Sequence, residues 1–146
     1  MDDEDWDTMM KINAKGTWLC AGAVFPATKQ AGKGEIVNLT SDVFFTGSYG
    51  FVHYVATKGA VVGLTRALAI ELGPHNICIN AIAPGFTDTE ASRTVADTNK
   101  YDTSKTPLGR LGTAEDIVGA AVFLSSDAAD FITGETILVD GGRAMK

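Results

Sequence analysis

Apolar and small residues recur in steps of three and four near the start of the chain, at Trp6, Met10, Thr17, Ala21, Val24 and Thr28. This spacing predicts one long helix over residues 3–31. Asn13 falls on the same stripe, where a buried amide must find partners. Pro26 comes late in the pattern and is expected to kink or end the helix, since it has no amide proton and its ring crowds the preceding turn. The Gly32-Lys33-Gly34 run follows as punctuation.

The pattern then changes period. Residues 35–40 are short and β-branched and predict a buried strand. A glycine-containing loop with several aromatics fills 41–52, and an Ala/Val/Leu-rich helix is expected over 53–72, stopping at Gly73-Pro74. Residues 77–83 read as a second apolar strand, closed by Pro84-Gly85. Residues 86–112 are polar and aperiodic apart from short helical turns, a length that usually marks a functional or mobile segment. Thr113 to Asp116 resembles a capping box that opens a helix running to 125, although Asp stands where Glu or Gln is preferred. A third strand is expected at 136–139, before Asp140-Gly141-Gly142.

Near-continuous apolar strands separated by helices indicate an α/β fold with a parallel sheet and helices on its faces. Three strands leave an open sheet edge, which points to a part of the sheet outside this sequence. No repeat or linker divides residues 1–146.

Composition adds little. The chain has 146 residues, of which 45% are hydrophobic and 21% charged, as in ordinary globular domains. The net charge of -6 is mostly local. Asp2, Asp3, Glu4, Asp5 and Asp7 cluster at the start, where carboxylates suit the positive end of a helix, and the rest balances at 13 acids against 12 bases. No basic patch is present, so a nucleic-acid partner is not expected. No apolar run reaches the roughly 20 residues of a membrane span, and no export signal is visible, so a cytoplasmic location is expected. Cys20 and Cys78 lack metal or redox spacing and are expected to be buried thiols in a reducing compartment. With only His53 and His75, no metal site is expected.

Tyr54 and Lys58 stand four apart on a helix and share a face. An ammonium beside a phenol stabilises the phenolate, and such a tyrosine can exchange a proton with an alcohol or carbonyl oxygen. An aromatic stacked on a lysine stem is the plain alternative. Ser41 ends the first strand, on the side of a parallel sheet where ligands bind; equally, a loop serine caps turns. Asn13 serves either as a satisfied core amide or as part of a site. Pro84-Gly85 with Thr87 and Thr89 reads as a turn past a strand end.

The order and spacing of these residues say more than each alone. Asn13 in Ile12-Asn-Ala-Lys-Gly-Thr17, Ser41 after Ile36-Val-Asn-Leu-Thr40, and Tyr54-Val-Ala-Thr-Lys58 come first. Asn80-Ala-Ile-Ala-Pro84-Gly85-Phe-Thr-Asp-Thr89, Pro107-Leu-Gly-Arg110 and Val139-Asp-Gly-Gly142 follow. Together they resemble the short-chain dehydrogenase/reductase family over essentially the whole chain. The resemblance implies a Rossmann-like, doubly wound parallel sheet, of which this is the C-terminal part. It implies an oxidoreductase that moves a hydride between NAD or NADP and a small-molecule alcohol or carbonyl substrate. Tyr54 would be the general acid/base. Lys58 would lower its pKa and hold the nicotinamide ribose. Ser41 would orient the substrate oxygen, and Asn13 would hold a water relay. Pro84, Gly85, Thr87 and Thr89 would line the nicotinamide side, while 86–112 would close over substrate. Val43, Phe44, Phe45, Phe51 and Phe86 would make the pocket apolar, with ordinary packing an equal alternative. His53 is expected at the pocket rim or surface. A homodimer or homotetramer is also implied.

One departure stands out. The family's glycine-rich turn between a strand and a helix, which receives the pyrophosphate, has no counterpart here. Gly32-Lys33-Gly34 precedes a strand and opens no helix. The sequence is therefore expected to be a single partial domain, the catalytic portion, either as a truncated record or as a natural remnant. An inactive paralogue serving as an oligomerisation partner, or an epimerase or lyase of the same fold, are the other readings.

Overall fold

The structure, a computed structural model, describes residues 2–145. The acidic start does what its charge pattern implies. Helix α1, Asp3–Met9, is capped by Asp2, whose carboxylate accepts from the Asp5 amide at 2.9 Å, and its first turn carries Asp3, Glu4 and Asp5. A π-helical stretch, Met10–Lys15, interrupts the expected long helix before α2 continues over Gly16–Ala31. Pro26 does not end α2. The proline removes an amide that would have donated to the Gly22 carbonyl, and both residues lie exposed, where a lost intrahelical bond costs least. The apolar stripe is also less buried than its spacing implies. Ala14 and Ala21 are buried, whereas Trp6 and Val24 remain exposed.

Strand β1, Gly34–Leu39, is followed by the short helix α3, Val43–Thr46, and by α4, Val52–Leu72. Strand β2 spans Ile77–Pro84. The long polar segment contains α5, Glu90–Val95, opened by Thr89, whose hydroxyl accepts from the Ser92 amide. Helix α6, Ala114–Leu124, and strand β3, Thr136–Val139, complete the chain.

The three strands form one parallel sheet in the order β1-β2-β3. Gly34 aligns with Ile77 and Leu39 with Ile82; Ala81 aligns with Thr136 and Pro84 with Val139. Alternation along a strand sends neighbouring side chains to opposite faces. Helix α4 packs on β2, and its buried Val61, Val62, Ala69 and Leu72 complement the fully buried Ile77, Ile79, Ala81 and Ala83. Around α6, Leu124 and Ala129 join Ile82, with Val37, Ile117, Ile132 and Ile137 packed against them.

Two polar side chains are fastened inside this core. Asn38 donates to Thr65 Oγ1 at 2.9 Å, tying β1 to α4. Asn80, 1% exposed, donates to the Ile132 carbonyl at 2.7 Å and accepts from the Glu135 amide at 3.0 Å. It thereby fixes the turn that feeds β3 against β2. At the opposite end of the sheet Lys33 meets Asp127 at 2.5 Å and Asp130 at 2.8 Å. These carboxylates raise the Lys33 pKa.

Candidate active site

The ladder between β1 and β2 continues past the named strand ends. The Thr40 amide donates to the Ile82 carbonyl at 2.8 Å, and the Asp42 amide to that of Pro84 at 3.0 Å. Ser41 is thereby held between two backbone anchors and is buried. Its hydroxyl donates to Asp42 Oδ1 at 3.2 Å. Helix α4 begins beside it and carries Tyr54 and Lys58 on one face. The Thr40 hydroxyl donates to the Lys58 carbonyl at 2.8 Å, which locks that face to the end of β1.

Lys58 Nζ lies 5.3 Å from the centre of the Tyr54 ring and donates to the Leu39 carbonyl at 3.1 Å. Burial pushes the Tyr54 phenol up; hydrogen bonding with Ser41 opposes this, and the Asp42 charge adds to it. Burial pushes the Lys58 ammonium down. The expected lowering of Tyr54 by Lys58 is thus absent from this geometry. The ammonium gives one of its three donors to a backbone carbonyl beside the ring, and burial is the largest influence on both groups.

Asn13 sits in the π-helical stretch, a distortion common at functional positions. Its amide donates to Thr57 Oγ1 at 3.1 Å, and Thr57, fully buried, donates to the Tyr54 carbonyl at 2.7 Å. Asn13 therefore reaches the Tyr54 turn through Thr57, a residue the sequence reading passed over.

Past β2, the Gly85 amide donates to the Val139 carbonyl at 3.0 Å. A side chain at Gly85 would put its Cβ 2.9 Å from the Asp140 Cα, so only glycine lets the two strand ends approach. Thr87 spends its hydroxyl proton on the Gly85 carbonyl at 2.9 Å. Thr89 Oγ1 caps α5 and keeps its proton for another acceptor.

The aromatic residues separate. Phe86 stacks on Tyr101, with ring centres 4.5 Å apart, and the Arg143 guanidinium lies 5.2 Å from the other ring contact, Tyr101 itself. These three border a cavity of about 380 Å³ that also reaches Leu108, Leu138 and Gly142. Val43, Phe44 and Phe51 do not line it. Phe44 instead packs edge-on against Phe45 and over Gly59, where an added Cβ would stand 3.1 Å from the ring. Of the apolar candidates, Phe86 alone borders this cavity. His53 is half-buried beside Tyr54, and its Nδ1 has no hydrogen-bond partner.

Three residues the sequence reading missed belong to this end of the sheet. Asp42 is 3% exposed, and burial raises its carboxyl pKa. Asp140 accepts from the Gly142 amide at 2.9 Å and the Ala144 amide at 2.6 Å. Tyr101 lies inside the segment read as aperiodic. The cysteine reading also needs correction: Cys20 is exposed and Cys78 half-buried, with no bond between them. Cys20 lies on the outer side of α2, where small-residue spacing does not distinguish solvent from core. Among the described residues no acidic, histidine or cysteine cluster suits a metal ion, and no helix is long and apolar enough to cross a membrane.

The donor set fits the nicotinamide-ribose end of a dinucleotide. Tyr54 and Lys58 share a face, and Lys58 Nζ uses one of its three donors on Leu39, leaving two for ribose hydroxyls. The pyrophosphate end has no matching cradle among the described residues, since no strand passes through a glycine-rich turn into a helix.

A family model described as enoyl-(acyl carrier protein) reductase matches residues 1–144. The short-chain reductase protein NovJ of Streptomyces niveus is 40% identical, covering 98% of this chain and 57% of its own length. The 3-oxoacyl-[acyl-carrier-protein] reductase FabG of Chlamydia trachomatis is 39% identical, covering 99% of this chain and 58% of its own. A gluconate 5-dehydrogenase from Burkholderia cenocepacia, solved with NADP and tartrate, superposes with a TM-score of 0.93 at 35% identity, over 98% of this chain and 57% of that one. The chain thus spans a little over half the length of these relatives. The parallel sheet agrees with the fold of these structures, and the chain belongs to the short-chain dehydrogenase/reductase family.

Proposed function

We propose that residues 1–146 form the proton-transfer part of an oxidoreductase acting on an alcohol or carbonyl substrate with NAD or NADP. The observation that carries this reading is the convergence of Ser41, Tyr54 and Lys58 at the carboxyl end of β1. NADP in the Burkholderia gluconate 5-dehydrogenase supports a nicotinamide cofactor. When bound, the nicotinamide supplies or accepts the hydride.

The chain's own residues handle position and protons. Tyr54, held neutral by burial, donates its phenolic proton to a substrate oxygen or takes one back. Lys58 binds ribose hydroxyls and lies over the face of the Tyr54 ring. Ser41 meets the same substrate oxygen. Asn13 and Thr57 hold the turn of α4 that carries Tyr54 and offer a path for the proton. Gly85 and Thr87 line the nicotinamide side with Pro84 and Thr89, and Phe86 walls the cavity beside it.

Tyr54→Phe removes one oxygen and leaves the fold intact. Turnover should fall by at least the ~10²–10⁴-fold typical of a lost general acid, while cofactor affinity stays near its original value. Substantial remaining turnover would sink the assignment.

Self-association is supported by a specific surface. Trp18, Leu19 and Ile70 are exposed on α2 and α4, beside a hollow of about 240 Å³ between Phe25, Leu68 and Leu72. We read this face as the contact of a dimer or tetramer. Sedimentation velocity of Trp18→Glu should show dissociation, and an unchanged assembly would count against this face.

A further inference from the structure

Arg143 is a cation that the proposed chemistry does not use. It borders the cavity of about 380 Å³ together with Phe86, Tyr101, Leu108 and Leu138. That volume falls within the roughly 300–1,000 Å³ of small-molecule sites. The guanidinium lies 5.2 Å from the centre of the Tyr101 ring, and Tyr101 stacks in turn on Phe86. Arg143 Nη1 makes two long bonds, 3.4 Å to the Asp102 carbonyl and 3.5 Å to Thr106 Oγ1. Among the described residues Arg143 forms no ion pair with a carboxylate. A guanidinium carries five N–H donors in a rigid fork, so most of them remain for a ligand.

The other charges around the cavity are committed elsewhere. Arg110 gives Nη1 and Nη2 to Asp116 at 2.6 and 2.8 Å. Asp140 holds the amides of Gly142 and Ala144, and Asp102 accepts from the Ser104 amide at 2.9 Å. Asp42 is enclosed, and burial favours its neutral form, which weakens its pull on Arg143. The backbone beneath Arg143 is also placed in advance. Gly141 and Gly142 adopt φ of 67° and 87°, and a Cβ at either would stand 2.8 Å from Thr106 Cγ2 or 3.1 Å from Pro107 Cγ. The Leu108 amide donates to the Gly141 carbonyl at 3.1 Å. Close packing below and the Tyr101 ring alongside leave less of the arginine to be ordered on binding.

We propose that this cavity is a carboxylate-binding site, in which Arg143 pairs with the acid group while Phe86, Tyr101, Leu108 and Leu138 meet a short apolar body. The claim goes beyond the proton-transfer reading and stands without it. A planar carboxylate matches the arginine fork with two parallel charge-assisted bonds. An amide of the same shape offers one neutral acceptor and turns an N–H toward the donors. The cavity is not lined by Ser41, Tyr54 or Lys58, yet it adjoins their end of the sheet. Gly85 and Phe86 border it directly after Pro84, whose carbonyl accepts the Asp42 amide. The Asp42 charge acts on both Tyr54 and Tyr101, one on each side of it.

The test uses the full chain with hexanoate and hexanamide as probes, their dissociation constants measured by ligand-observed NMR near neutral pH, where hexanoate is ionised. The wild type should bind hexanoate at least about tenfold more tightly, the scale of a hydrogen bond to a charged group. Added salt should narrow that ratio. Arg143→Met keeps much of the stem and removes the charge, and should bring the ratio to about one. Arg143→Lys keeps a charge without the fork and should give a ratio between the two. In a readout that needs no variant, amide shifts during a hexanoate titration should centre on Thr106, Gly142 and Arg143. Equal affinity for the two probes in the wild type overturns the proposal, as does a methionine variant that keeps the wild-type ratio. Shifts centred elsewhere put the acid at another site and overturn it too. Undiminished turnover in Tyr54→Phe would overturn the proton-transfer reading and leave these binding measurements to stand.

Discussion

Asn80→Ala is the sharpest test of how the site end of the sheet is held. The substitution removes two hydrogen bonds at once, the donation to Ile132 at 2.7 Å and the acceptance from Glu135 at 3.0 Å. The Asn80 side chain between them is 1% exposed, while Ile132 is half-buried and Glu135 exposed. Leaving such a backbone group unpaired costs about 1–3 kcal/mol, so the pair should cost about 2–6 kcal/mol. Against a total stability of about 5–15 kcal/mol this is a large fraction. In a chain of this size, each kcal/mol moves the melting temperature by about 2–4 °C, which places the loss at about 4–24 °C. Urea denaturation followed by circular dichroism reads it directly as a lower midpoint at unchanged slope. A loss under about 0.5 kcal/mol, typical of surface substitutions, would refute the claim that Asn80 fastens the turn before β3.

Gly85→Ala forces a Cβ to within 2.9 Å of the Asp140 backbone, so β2 and β3 must part at their ends. The expected cost is about 1–3 kcal/mol, with amide shifts centred on Gly85 and Val139 in NMR spectra; shifts confined elsewhere would contradict the close approach. Asp116 accepts two bonds from Arg110 and one from the Thr113 amide, and the Arg110 bonds hold its carboxyl well below the usual range. Its folded pKa lies below its unfolded one, so its contribution is present above about pH 4 and drains away as pH falls further. Asp116→Asn should flatten the acid limb of a stability–pH curve, and a curve that superposes on the wild type would dismiss the linkage.

Much of this was legible in the chain. The strands at 34–39, 77–84 and 136–139 fall within a residue of their apolar runs, because buried parallel strands have no polar face to blur the pattern. Helices α4 and α6 ended where Gly73 and Ser125 indicated. The π-helical stretch was not legible, since one extra residue per turn leaves no mark in a window of threes and fours. Pro26 misled because its cost depends on whether Gly22 can reach water, a tertiary fact. Ser41, Tyr54 and Lys58, expected together from their order and the family resemblance, lie at one end of the sheet. Thr57 and Asp42 were not legible, because nothing in a sequence says that a threonine will bridge two elements or that an aspartate beside a strand end will be enclosed. Of the apolar candidates, Phe44 packs over Gly59, and Phe86 borders the cavity by Tyr101, which Ser41, Tyr54 and Lys58 do not line.

Phe86, Tyr101 and Arg143 form a stack whose members are far apart in sequence. Tyr101 is the middle layer, so the long polar segment is clamped between the outlet of β2 and the stretch after β3. Closing those two large loops is entropically slow and must wait for the sheet to form. The cavity wall is then among the last parts to assemble and the first to open, which lets ligands enter through a local fluctuation that leaves the sheet intact.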